Sequence, residues 1–192
     1  MHRAARGVIV FVCAGAFSAR PQPPASPQQA AGLESDWEIA AVLQDISAHA
    51  TRLLPLLARA DAHQWSAKGA PQAYAEQLES SKEQAQALAD SAKDLAASPE
   101  ALSGELQVLF REQSLETMLN SVAEAMRKYQ NSAAAQELVA AAAESGASRD
   151  RLEQYVVNLA STREKEYQVM DQETQRCRAQ MLATPPPAKK KK

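Results

Sequence analysis

Residues 35–60, SDWEIAAVLQDISAHATRLLPLLARA, decide the fold. Ser35 and Glu38 stand at capping-box spacing, which starts a helix. From there Ile39, Leu43, Ile46, Ala50, Leu53, Leu57 and Ala60 alternate by four and three, a heptad seam. Val42 and Leu56 widen the seam into a face suited to a globular core. Pro55 lies inside this pattern. It removes one backbone hydrogen bond and predicts a kink about one turn back, near Thr51.

The helix runs out near Ala62 and meets residues 63–74, HQWSAKGAPQAY. Gly69 can take the left-handed conformation of a chain reversal, and Pro71 suits the first position of a new helix. This is a helix–helix corner, with Trp65 covering the bundle end. A second use of the same residues is a small-ligand site with His63, Trp65 and Tyr74 at its mouth. Tyr74, Leu78, Ser81, Ala85, Leu88, Ala92 and Leu95 form the second heptad seam.

Ser98 and Pro99 open a third helix, and Gly104 leaves room for a short initial turn and a restart. Leu102, Leu106 and Leu109 begin its seam. Leu115, Leu119, Val122, Met126 and Tyr129 continue it after a slip in phase. Residues 131–146, NSAAAQELVAAAAESG, predict a short helix closed by Gly146. Ser148 caps the last helix, which carries Leu152, Val156 and Leu159. The polar run STREKEYQ (161–168) then interrupts the seam before Tyr167, Met170, Cys177 and Met181 resume an apolar stripe, and prolines from residue 185 end it. At 1.5 Å per residue this helix approaches about 50 Å, so it bends or runs past the bundle. The fold expected is all-α: an antiparallel bundle of four long helices plus one short helix, with a long C-terminal helix.

Ordinary composition agrees with this, at 45% hydrophobic and 23% charged residues, while aromatics at 5% argue against sheet. The N-terminus reads as an export signal over residues 1–18: basic His2, Arg3 and Arg6, the apolar run GVIVFVCAGAF, then Ala16 and Ser18. A Pro/Gln-rich leader (19–34), the bundle domain (35–183) and a Pro/Lys tail (184–192) follow. No other segment is long and apolar enough to span a bilayer, so the mature chain is expected to be periplasmic or secreted, with no integral membrane segment. Losing Arg3 and Arg6 takes the formal net charge from −2 to −4, and four tail lysines offset a body near −8. An acidic body is a poor partner for phosphate backbones, so nucleic-acid binding is not expected.

Motifs for chemistry are sparse. There is no Glu-x-x-His, phosphate loop or nucleophile elbow. After signal removal only His49 and His63 remain, about 20 Å apart on one helical axis. Asp45 and His49 share a face and make at most half a metal site. The expectation is no metal and no cofactor. Paired carboxylates such as those at 164–166 read as solubilising, with nothing to hold a carboxyl in an apolar pocket. Cys177 is the lone cysteine of the mature form. It packs on the helix stripe or pairs between chains.

The order of QWSAKGAP (64–71), RKYQN (127–131), ASRDRLEQYVVNLA (147–160) and QRCRAQ (175–180) resembles a group of uncharacterised exported bacterial helical proteins. That resemblance covers most of the mature chain and implies no activity. The first two helices and their Trp-bearing corner are similar to the DinB-like bundle family, which commonly carries a three-histidine metal site. With two histidines at unsuitable spacing, neither the metal nor an activity carries over. The expected function is that of an exported, non-enzymatic helical bundle in a structural or protein-interaction role, with a protein partner or a homodimer. The interaction surface expected is Tyr167, Met170, Cys177 and Met181. The alternative is a small-ligand-binding bundle with its pocket near Trp65.

Overall fold

The computed structural model describes residues 34–183. The signal, most of the leader and the tail expected from the sequence lie outside them. The described residues contain helices and no strand: α1 (Asp36–Ala58), α2 (Ala62–Ala67), α3 (Gln72–Leu95), α4 (Leu102–Tyr129), α5 (Ser132–Ala142), a 3₁₀ turn (Ala143–Ser145) and α6 (Gly146–Ala183). The all-α bundle of four long helices is as expected. Two short helices accompany them rather than one.

Helix α1 begins where the capping box places it. The Ser35 N–H and hydroxyl donate to Glu38 Oε2 at 3.0 and 2.5 Å. Its seam from Ile39 to Leu57 is fully buried. Pro55 does not end the helix, which continues to Ala58. Pro55 and Thr51 both face solvent, so water can satisfy the carbonyl that loses its intrahelical donor.

Helix α3 packs antiparallel on α1, with Ser47 Oγ donating to the Ala89 carbonyl at 2.7 Å. Helix α4 packs on α3, and α5 with the start of α6 closes the other side against α1 and α4. Three surface ion pairs tie these layers: Arg59–Glu137 at 2.8 Å, Arg52–Glu144 at 3.6 Å and Arg151–Glu34 at 2.9 Å. Being half exposed, they set alignment more than stability.

Three local expectations are corrected. Ser98 and Pro99 form a turn, and α4 starts at Leu102. Gly104 is not a restart: it lies within α4, where a Cβ would come within 2.6 Å of Leu95 Cδ1, so it permits close approach of α3 and α4. Gly146 does not close α5. Its φ of −51° is right-handed helical, and it begins α6, so Ser148 is an interior residue and not a cap.

The largest correction concerns the seam of α4. Glu105, Val108, Glu112, Leu115, Leu119, Val122, Met126 and Tyr129 are all buried, alternating by three and four without a slip. Two glutamates occupy core positions one heptad apart. Leu102 and Leu106, assigned to the seam by their apolarity, are only half-buried beside it.

Candidate functional site

Helix α6 has 38 residues, about 57 Å at 1.5 Å per residue. Its first half is core: Leu152, Tyr155, Val156 and Leu159 are buried. The Tyr155 hydroxyl donates to the Pro99 carbonyl at 3.2 Å, which fixes α6 against the α3–α4 turn. Burial, and then the nearby Glu105 carboxyl, push that phenol up to about 12.

Beyond this turn the bundle ends and α6 does not. Every residue from Glu164 to Ala183 is exposed, an arm of about 30 Å. Tyr167 is 71% exposed, Met170 61% and Met181 72%. Cys177 is an exposed free thiol. Val156, Arg163, Met170 and Cys177 recur at seven-residue intervals, so the arm's stripe prolongs the line by which α6 enters the core. All four residues of the expected surface are on the arm.

The corner is built differently from a pocket mouth. Residues 62–67 form α2, capped by Asp61 Oδ1, which accepts from the Gln64 N–H at 3.0 Å. Gly69 adopts φ 81°, the left-handed turn expected of it. Trp65 is buried, and its indole N–H donates to Gln130 Oε1 at 3.0 Å. Lys68 Nζ donates to the Tyr129 carbonyl at 2.5 Å, and Tyr74 stacks obliquely on Tyr129 with centroids 6.1 Å apart. His63 faces outward along a shallow open groove with Asp61, Glu79 and Lys82, whose walls do not include Trp65 or Tyr74. The chain thus brings the three residues into one corner without turning them to one cavity.

A second polar cluster was not foreseen. Glu112 lies in the core beside Leu88, Leu115, Leu119, His49, Ser145 and Arg149, around a cavity of about 10 Å³. That volume holds about one water. The buried His49 points Nε2 at the Ala141 carbonyl at 2.8 Å, so that nitrogen donates. Asp45, four residues earlier on the same helix, is exposed. Among the described residues no group of three or more His, Cys, Asp or Glu side chains could hold a metal.

Neither carboxyl oxygen of Glu112 has a hydrogen-bond partner. Burial raises its pKa. Ser145 and Arg149 oppose that shift from nearby, without closing a hydrogen bond, while Glu116 and Asp150 add to it. Arg149 pairs directly with Glu116. Glu105 is also without a partner, and burial alone pushes it up to about 8. At neutral pH it is a neutral acid inside the core. The paired carboxylates at 164–166 are exposed as expected, and these two buried carboxyls lie outside the pairs from which that expectation was drawn. The signal was in the sequence: stepping back by sevens from Leu119 gives Glu112 and Glu105.

The chain matches no family model, no curated protein and no solved structure. No helix among the described residues is long and apolar enough to cross a membrane.

Proposed function

We propose that this is an exported, non-enzymatic interaction protein, periplasmic or secreted, that presents the arm of α6 as its contact surface. One observation carries the reading: twenty consecutive exposed helical residues, 164–183, keep an apolar stripe in phase with the core. A bare helix of this length is marginal in water, and exposed apolar stripes commonly mark interfaces. Export rests on the basic and apolar order of residues 1–18. Against the ligand-binding alternative, Trp65 is enclosed and its indole N–H is engaged by Gln130.

Ending the chain after Arg163 tests the contact reading. The truncated protein is expected to keep the wild-type melting transition and to lose association. If it unfolds instead, the arm is a core element and the reading fails.

A further inference from the structure

Given that contact-surface reading, we propose that the arm's partner is the same arm of a second copy, running antiparallel. The charge layout selects this occupant. The half next to the bundle carries Glu164, Glu166, Asp171 and Glu173 against Lys165 alone. The outer half carries Arg176 and Arg178 and no acid. Antiparallel arms bring the Asp171 and Glu173 stretch of each against the Arg176 and Arg178 stretch of the other, with Glu164 and Glu166 beyond the paired length. Parallel arms set like against like, with Glu166 flanking Asp171 across the seam.

The stripe supplies the register. Tyr167, Met170, Thr174, Cys177 and Met181 alternate by three and four, a coiled-coil seam. Within the arm Glu173 already pairs with Arg176 at 3.0 Å, whereas neither Asp171 nor Arg178 has an ion-pair partner among the described residues. Both flank the seam on the same side. The register that sets Asp171 against Arg178 of the second copy also sets Met170 against Met181 and Thr174 against Cys177. Its two-fold axis passes between residues 175 and 176, so every contact occurs twice and the assembly closes as a dimer. Like charges do not face each other in this register. Sliding the arms one heptad toward greater overlap brings Asp171 onto Asp171 and Glu173 onto Glu173, which disfavours it.

Cysteine cross-linking of the full chain tests the pairing. In a Cys13→Ser, Cys177→Ser background, the Met170→Cys, Met181→Cys double variant is expected to oxidise to a covalent dimer. Each single cysteine variant should stay monomeric on a denaturing gel, since its two copies lie eleven residues apart, about 16 Å along the axis. Single variants that cross-link to themselves would mean parallel arms and overturn the proposal. In sedimentation, Asp171→Arg should weaken the dimer by about tenfold or more, and adding Arg178→Asp should restore it. A wild-type chain that sediments as a monomer at hundred-micromolar concentration also overturns the pairing. That result leaves the contact-surface reading standing, because only unfolding of the truncated chain removes it.

Discussion

Trp65 on α2 and Gln130, the residue that ends α4, meet through one hydrogen bond of 3.0 Å from the indole N–H to Oε1. The same oxygen accepts the Asp61 N–H at 2.9 Å, and Gln130 Nε2 donates to the Arg59 carbonyl at 2.9 Å. One amide side chain therefore ties the ends of α1 and α4 to the short helix between α1 and α3. Gln130→Ala is expected to cost about 1–2 kcal/mol, because it strands the indole donor of the buried Trp65, while the Asp61 N–H and the Arg59 carbonyl that it also frees are exposed and can bond to water. Trp65→Phe keeps most of the packing and should cost about half as much. Urea denaturation of the two variants measures both. A Gln130→Ala protein with the wild-type midpoint would mean the corner is held by packing alone.

Glu105 makes stability depend on pH in an uncommon direction. Its folded pKa of about 8 stands above the ordinary 4.5, so between these values the folded chain binds more protons than the unfolded chain. The stabilisation is complete below pH 4.5 and is lost as the pH rises through 8. The carboxyl has no hydrogen-bond partner to offset its burial, so the loss amounts to several kcal/mol. Glu105→Gln should flatten the profile, matching wild type near pH 4.5 and exceeding it at pH 9. Thermal melts at both pH values decide this. Parallel profiles for the two proteins would show that Glu105 reaches water.

Glu112 has both oxygens buried and without a partner, beside apolar Leu88, Leu115 and Leu119. An apolar side chain of similar length leaves no polar atom to desolvate. Glu112→Met is therefore expected to raise the unfolding free energy by about 1–2 kcal/mol at pH 7. Most core substitutions do the opposite, so the sign of the change in a urea titration is the readout. A destabilised Glu112→Met would place a bound water or a charged form of Glu112 in the folded core.

Gly69 has a φ of 81° with open space around it, so conformation and not crowding limits the site. Gly69→Ala should cost about 1 kcal/mol through backbone strain alone. A melting temperature equal to wild type would show that the turn can be made with a right-handed residue.

The sequence was most legible where apolar residues mark the seam. In α1 the line from Ile39 to Leu57 and in α3 the line from Leu78 to Ala92 are buried as their spacing requires. It misled where chemistry and geometry part. Glu105 and Glu112 hold seam positions, and reading by apolarity alone moved the seam to Leu102 and Leu106 and produced a slip that does not exist. Gly146 looked like a stop because glycine often ends helices, but with a helical φ it serves as the first residue of α6. The cluster of Glu112, His49, Ser145 and Arg149 was out of reach because four separate elements supply it. The arm was legible from helix length and the polar run at 161–168, since a helix longer than its neighbours runs out of core.

Because α6 passes from core to arm without a break, the azimuth of the stripe is locked to the bundle. Each residue turns a helix by about 100°. One alanine inserted among residues 161–166 would swing Met170 and Cys177 by about 100° and leave Leu152, Val156 and Leu159 in place. Seven inserted residues would restore the heading to within about 20° and lengthen the shaft by roughly 10 Å. The polar run at 161–168 is thus a rigid coupling, which sets both the reach and the bearing of the arm.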